Sequence, residues 1–567
     1  MSGNNRYVIG LNCSGFISSA CLVKDGVVVS AICEERISRL KRDKNFPVKA
    51  IKYVCDSEKI SLKQVDKILI GWNPRFYLQK SDNMLNDAFK DRGKIAYLSL
   101  NELATLNQEN IPNTIEQKLI YEDHTINIEY VDHHKAHLSN GYALSGFKNS
   151  DFLILDGFGE NTTGMCGTIE EGKIDVYEKY SSPHSMGSFY STFTDFLNFR
   201  PNSDEWKVMA LSPMGDKNVY YEQVKNMVKV DGLKFELDLS YFEHFLFFTK
   251  NYYSEKFLKE FKEIGEKTTL TKQHYDLVAS CQKVSEEVVL KILNNLHKKT
   301  KNKNLILGGG FFMNSLLNGK ILDNTPYENL QIGGSPDDSG ISIGAAMYEA
   351  IKTGQNKYLK VKNNYFGIEY SESEIEKELK KRKLKYKKSN NIFKEAAEAI
   401  NDGKIIGWFQ GKSEFGQRAL GNRSILANPS LKTIKDSINK SIKYREKFRP
   451  FAPSVLKSHQ DKIFKSAVAN DSYFMERVLE YKDGWDKKLP GTDHFKTGRL
   501  QTVDEQENER YYKLINEFYK ISGIPCVLNT SFNVNGMPMV ESPADAISCF
   551  FNSGIDYLVL GDFILEK

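Results

Sequence analysis

Residues 152–177 read FLILDGFGENTTGMCGTIEEGKIDVY. The apolar run 152–155 predicts a strand, Asp156-Gly157-Phe158-Gly159-Glu160 a glycine turn, and 163–169 a second strand. Glu170-Glu171-Gly172 then turns the chain into a third strand at 174–177. The chain starts in the same way. Residues 7–32 read YVIGLNCSGFISSACLVKDGVVVSAI, which predicts a strand at 7–11, a polar turn Asn12-Cys13-Ser14-Gly15, a strand at 20–23, a tight turn at Asp25-Gly26 and a strand at 27–32.

One glycine turn between strands describes an ordinary hairpin. Two copies in the same context predict an actin-like ATPase architecture, a duplicated ribonuclease-H-like α/β domain. Its two turns face each other across a cleft and hold phosphates through backbone N–H groups. Two further strand–glycine turn–helix units support this. A strand at 304–307 ends in Gly308-Gly309-Gly310 before a helical run from Phe312, with Asn314 in its first turn. Gln331-Ile332 leads into 333–340 (GGSPDDSG) and a helix through Gly344-Ala345-Ala346. Backbone donors and the positive end of a helix favour an anion at such turns. Asp338 cannot serve that anion directly, so it reads as a cation ligand, with Asp337 or Ser335 near the helix cap; a plain cap is the alternative for either aspartate.

Residues 132–137 (DHHKAH) follow an apolar strand-like run at 126–131. His133 and His137 are four apart, so on a helix starting there both imidazoles project from one face, one turn apart. That spacing suits two ligands of one divalent metal, although histidine pairs also cap, pack or join hydrogen-bond networks. It is not the zinc-protease signature, because His134 stands where that motif has glutamate. With Asp338 the set suits iron(II), manganese or zinc.

At 567 residues the chain is too long for one core. Its net charge of +5 is the small difference of 78 cations and 73 anions, which implies neither a nucleic-acid nor a membrane partner. The eight cysteines show no C-x-x-C or disulfide-like spacing, and no signal peptide or long apolar segment is present, so a cytoplasmic setting is expected. A helix at 341–351 ends at Thr353-Gly354, and a polar stretch to Asn364 precedes a lysine- and glutamate-rich helix starting near Ser373. The domain break is therefore expected at about residue 360, giving domains 1–360 and 361–567. The basic run 380–388 reads as a solvated face.

Ordered motifs run nearly end to end: ACLVKDG at 20–26, EER at 34–36 with Arg39 and Lys41, HHKAH, DGFGE at 156–160 and EWKVM at 205–209. After the Gly308 and Asp338 loops come EFGQRALGNRS at 414–424, FRPFAP at 448–453 and LNTSFN at 528–533. By these motifs the chain resembles the O-carbamoyltransferases of the nodulation and cephalosporin type, the NodU/CmcH family. The resemblance implies an enzyme with an actin-like first domain, similar to the universal tRNA threonylcarbamoyl-transfer protein, and a YrdC-like α/β second domain. The second would condense carbamoyl phosphate with ATP, with Mg2+, to carbamoyl adenylate. The carbamoyl group would then pass to the metal site of the first domain, where a hydroxyl of a small molecule or glycan accepts it, leaving a carbamate ester and AMP. A homodimer is compatible with this scheme.

The resemblance also distributes roles. His133, His137 and Asp338 would hold the metal, with iron favoured; Gly157, Gly159, Glu160, Gly309, Gly310 and Asn314 would line a nucleotide site. Lys41 and Lys207 would meet nucleotide phosphates or the acceptor, or else pair with Glu34 and Glu205. Two polyanionic substrates need fixed cations, and Arg418, Arg423, Lys443, Arg445, Arg449 and Arg499 stand near glycine-rich or proline-fixed turns. Arg418 and Arg499 take catalytic roles in this scheme, while Asn529 and Ser531, at the end of an apolar strand at 525–528, suit hydrogen bonds to carbamoyl or phosphate.

Two departures from the family pattern stand out. Its first glycine turn commonly carries a histidine proposed to deprotonate the acceptor, whereas this chain has Ile17 or a near neighbour there. Such a base contributes about 10²–10⁴-fold. His134 or another group then takes the role, or the acceptor is a better nucleophile such as an amine. Otherwise the chain is a catalytically altered, nucleotide-binding regulatory relative. The second departure is 494–499 (HFKTGR), where the family has Asp-Gly-Thr-x-Arg, so Arg499 transfers but the preceding loop does not. A tRNA-modifying enzyme would need a strongly basic surface that the net charge does not supply.

Overall fold

The computed structural model describes residues 6–13, 16–73, 116–121, 124–246, 249–264, 269–465 and 471–567. The chain forms two compact units. Met1–Val29, Lys44–Asn314 and Asn324–Lys360 make the first; Ser30–Asp43, Ser315–Asp323 and Val361–Lys567 make the second.

In the first unit, β1 (Tyr7–Asn12), β2 (Ser19–Lys24), β3 (Val27–Cys33), β4 (Lys67–Ile70), β5 (Glu116–Tyr121) and β6 (His124–Tyr130) form a six-stranded sheet in the order β3-β2-β1-β4-β6-β5. β1 runs antiparallel to β2 and parallel to β4, and β4 is parallel to β6. Ser14 and Gly15 of the first polar turn lie outside the described residues. The second copy begins with β7 (Asn149–Leu155), β8 (Thr162–Glu170) and β9 (Lys173–Ser181), followed by a separate hairpin of β10 (Val228–Asp231) and β11 (Lys234–Leu237). β12 (Asn304–Gly308) and β13 (Asn329–Ile332) complete the order β13-β12-β7-β8-β9. Again three antiparallel strands are followed by two parallel ones. The repeated order is the duplicated ribonuclease-H-like, actin-like architecture that the two sequence copies predict.

Each copy closes with a helix, His133–Ser145 after β6 and Ile341–Lys352 after β13. In the first of these every residue except Lys135 is buried. The two helices touch backbone to backbone. A Cβ on Gly344 would stand 1.8 Å from the Ala136 carbonyl oxygen, so only glycine permits the approach.

The second unit is built on β14 (Lys387–Lys388), β15 (Ile406–Phe409), β16 (Arg423–Ala427), β17 (Ala452–Leu456), β18 (Arg477–Glu480), β19 (Thr497–Val503), β20 (Cys526–Ser531), β21 (Tyr557–Leu560) and β22 (Phe563–Glu566). They form one sheet in the order β14-β22-β21-β15-β16-β20-β17-β19-β18. Strand alternation feeds two cores: Ile406 and Trp408 pack with the helices Ile392–Asn401 and Glu509–Ser522, while Ile405 and Phe409 pack with Glu372–Lys381 and Pro543–Phe551.

Residues 30–43 and 315–323 belong to this second unit, which a single break near 360 does not anticipate. The cause is local. Arg36 pairs with Glu541 at 2.8 Å, both side chains being almost fully buried, and Arg39 Nη1 donates to the Met539 carbonyl at 2.7 Å. Asn318 donates to the Glu476 carbonyl at 3.0 Å. Among the described residues no helix is long and apolar enough to cross a membrane.

Candidate functional site

The helix His133–Ser145 begins directly behind the loop after β6, with Asp132 at its N-cap position. Its free amide ends are satisfied from outside: Glu160 Oε1 accepts the backbone N–H of His133 at 2.8 Å and of Asn73 at 2.7 Å. Glu160 thus holds the helix start in place through Oε1. His133 Nδ1 lies 3.2 Å from the Gly71 carbonyl, which can only accept, so the ring donates there and keeps the lone pair of Nε2 facing inward.

That lone pair meets three others. His137 Nε2 is 3.2 Å from His133 Nε2, and Asp156 Oδ2 is 3.1 and 3.3 Å from the two imidazoles. Asp338 Oδ1 is 3.7 Å from both. One donor atom from each of His133, His137, Asp156 and Asp338 lies within 4.8 Å of the rest. Two imidazoles and two carboxylates converging on one point, with a ring held in the ligand tautomer by a backbone carbonyl, fit a divalent cation.

The electrostatics agree with that reading. Burial opposes a charge on His133, but the hydrogen bond that a protonated ring donates to Asp156 and the charges of Asp338, Asp156 and Glu160 raise its pKa to about 9. Burial also works against ionising Asp156, yet the two histidines hold it well below the usual carboxylate range. Burial, reinforced by Asp156, pushes Asp338 up to about 6. The carboxylates therefore favour one positive charge at this point, carried either by a proton on His133 or by a cation that takes its place.

The sequence reading missed Asp156, placing it in an anion-binding turn. Its place directly after β7, matching that of Asn12 at the end of β1 in the other copy, does not mark it as a ligand. Asp156 Oδ1 accepts the Gly310 N–H at 3.0 Å. The Gly309 N–H goes to the Pro336 carbonyl at 2.9 Å, and the Gly159 N–H to the Thr162 carbonyl at 2.8 Å. The amides of Gly159, Gly309 and Gly310 are therefore used inside the fold and do not point at an open phosphate site; Gly157 remains half-buried beside them. Gly159 has a steric role, since a Cβ there would come within 2.5 Å of His134 Cε1. Asn314 stands before the helix Ser315–Asn324, not in its first turn, and exchanges hydrogen bonds with Gln282 at 2.9 and 3.2 Å.

His134 Nδ1 contacts Thr162 Oγ1 at 2.9 Å, while its Nε2 is buried without a hydrogen-bond partner among the described residues. Burial, with help from His133, keeps this ring far below the usual histidine pKa, hence neutral. Lys207 pairs with Asp204 at 3.2 Å and lies over the rings of Phe199 and Trp206.

The second unit gathers cations. Lys443 is buried, its Nζ donating to the Ser531 carbonyl and hydroxyl and to the Asn533 carbonyl and side chain at 2.5–3.2 Å. Burial and the nearby charges of Arg445, Arg449 and Lys41 push it well below the lysine range. Burial and Arg449 likewise lower Arg445 to about 9, and burial lowers Lys41. Lys41 therefore joins Lys443, Arg445 and Arg449 in the second unit and is not part of the first. Arg499 forms a separate focus: burial and the adjacent Arg418 push it far below the arginine range, and its Nε has no hydrogen-bond partner among the described residues.

Two expected anion ligands have other duties. Arg423 is fully buried, stacks on Phe409 at 3.6 Å and donates to the carbonyls of Gln410, Gly411, Asn422, Ile368 and Glu541. Asn529 lies inside β20, not beyond a strand end, and donates to Ala419, Ser454 and Gln501. Both are internal braces of the loop that carries Arg418.

Residues 8–347 match the family described as carbamoyltransferase N-terminus, and residues 397–567 the family described as carbamoyltransferase C-terminus. Nodulation protein NolNO of Sinorhizobium fredii is 31% identical over 97% of this chain and 78% of its own. An uncharacterized protein of Synechocystis sp. is 32% identical over 99% of this chain and 97% of its own. Among solved structures, component A of (R)-2-hydroxyglutaryl-CoA dehydratase from Acidaminococcus fermentans is 11% identical with a TM-score of 0.32, covering 62% of this chain and 99% of that one.

Proposed function

The chain belongs to the carbamoyltransferase family, and on that premise we propose an ATP-dependent carbamoyltransferase working in two stages. In the second unit, read as YrdC-like, carbamoyl phosphate, ATP and one water yield carbamoyl adenylate, pyrophosphate and phosphate. At the centre of the first unit, an acceptor hydroxyl on a small molecule or glycan attacks the carbonyl carbon of the adenylate. The bond to the AMP oxygen breaks, and a carbamate ester and AMP leave. The observation that carries this reading is the crowding of buried cations in the second unit. The groups that bring Lys443 down electrostatically are themselves cations, so a bound polyanion relieves a repulsion that the free protein sustains. Arg418 beside Arg499 offers a second anion seat, suited to carbamoyl phosphate.

His133, His137, Asp156 and Asp338 would hold a divalent metal, iron(II) by family resemblance, with manganese or zinc as alternatives. Such a metal supplies Lewis-acid stabilisation of charge developing on the carbonyl oxygen. The surrounding residues prepare that centre: Glu160 fixes the helix start, the Gly71 carbonyl sets the His133 tautomer, and Gly310 orients Asp156. His134, neutral and held by Thr162, has a free Nε2 and is the proposed base for the acceptor proton in place of the absent first-turn histidine.

Incubation of the full chain with ATP and carbamoyl phosphate should release pyrophosphate and give carbamoyl adenylate detectable by mass spectrometry. The Arg418→Ala variant should lose it, and Asp156→Asn, with Mg2+ present throughout, should block transfer to a panel of alcohols and amines while leaving adenylate formation intact. Absence of adenylate, with no effect of Arg418→Ala on phosphate release, would sink the proposal.

A further inference from the structure

Resting on the reading of the second unit as the nucleotide-using half, we propose that Tyr444 is the stacking platform for the nucleotide base. It makes the Lys443–Arg445–Arg449–Lys41 cluster selective for a nucleoside triphosphate over a bare polyphosphate. Tyr444 is 61% exposed, one of the most exposed large apolar side chains of the described residues. It also sits in the left-handed region, with φ 43° and ψ 55°, directly after a single π-helical turn at Asn439–Lys443. Left-handed backbone suits glycine or asparagine and strains an aromatic residue. Isolated π turns and strained residues gather at functional sites. Neither burial nor backbone preference therefore accounts for a tyrosine at this position.

Its surroundings suggest what the ring is for. Its neighbours in sequence, Lys443 and Arg445, carry the crowded cations, so the ring is tethered one residue from groups suited to phosphate. Its carbonyl accepts from Asn535 Nδ2 at 3.4 Å, which ties it to the loop bearing Asn533, a partner of Lys443. Arg445 already stacks on Phe451 at 4.7 Å, so the Tyr444 ring is not needed to hold that guanidinium. A flat aromatic face open to solvent beside a phosphate-binding cluster is the combination that recognises a base and its phosphates together.

The test titrates the full chain with ATP and, separately, with inorganic tripolyphosphate. Tyr444→Asn removes the ring while tolerating the left-handed backbone; Tyr444→Phe keeps the ring. Tyr444→Asn should bind ATP about tenfold more weakly with unchanged tripolyphosphate affinity, and Tyr444→Phe should bind both as the wild type does. Unchanged ATP affinity in Tyr444→Asn, or an equal loss for both ligands, overturns the stacking role. The underlying reading fails in a different way: if Lys443→Met leaves tripolyphosphate affinity intact, the cluster is not the phosphate site, and the role of Tyr444 falls with it.

Discussion

Arg36 comes from the first tenth of the chain yet completes the core of the second unit, and its removal should be costly. Its Nε meets Glu541 Oε2 at 2.8 Å, with the two side chains 2% and 3% exposed. Arg36 Nη2 also donates to the Glu414 carbonyl at 3.3 Å, and Glu541 Oε1 has no other partner among the described residues. Arg36→Met therefore leaves a buried carboxylate without its counter-charge. Breaking a buried pair from one side costs about 3–5 kcal/mol. At roughly 2–4 °C per kcal/mol for a unit of this size, its melting transition should fall by roughly 6–20 °C. Calorimetry on the full chain measures the shift, and fluorescence of the fully buried Trp408 assigns it to the second unit. Arg36→Met/Glu541→Leu removes both charges and should recover most of the loss, because replacing a whole buried pair with apolar groups is often neutral. A single variant that melts within about 2 °C of wild type, or a double variant no better than the single, would refute the reasoning.

Three further outcomes follow from the same geometry. Asp156→Asn and His137→Ala should each weaken divalent-metal binding at least as much as the ~10–100-fold typical of outer-sphere losses, read by chelator competition; equal affinity in either variant removes that residue from the centre. Gly159→Ala should cost about 1–3 kcal/mol in urea unfolding through the contact at 2.5 Å with His134, and Gly159→Ala/His134→Ala should regain part of it. Finally, the lysine pKa of Lys443 is lower folded than unfolded, so the unfolded chain binds more protons and stability rises with pH from the depressed value up to 10.5. A bound polyphosphate favours the charged form of Lys443, so titrations in buffers of different ionisation enthalpy should show no net proton release from the protein; net release would contradict the assignment.

The sequence exposed what is repetitive or local, and concealed what depends on which chain ends meet. Alternating apolar runs and glycine turns are properties of short windows, so both copies of the duplicated sheet could be read, and strand boundaries differ by only a few residues. The four-residue spacing of His133 and His137 is likewise fixed by helix geometry. Asp156 differs: a turn aspartate next to glycines has no local mark of a ligand. It becomes a candidate only because the parallel placement of β7 and β12 sets its carboxylate between Gly310 and the two imidazoles.

Arg423 illustrates the converse error. A Gly-x-Arg turn resembles an anion seat, but a fully buried guanidinium with five donors must find acceptors, and five backbone carbonyls nearby supply them. What separates Arg423 from Arg499 is not residue type or turn chemistry: carbonyls surround the Arg423 head group, whereas Arg499 has Arg418 beside it. Lys41 makes the same point over a longer reach: its neighbours Arg36 and Arg39 are fastened to Glu541 and Met539, so a lysine near the chain start joins a basic cluster whose other members lie some four hundred residues on. Whether a cation stands among other cations or is spent on internal bracing is decided by tertiary contacts no sequence window contains.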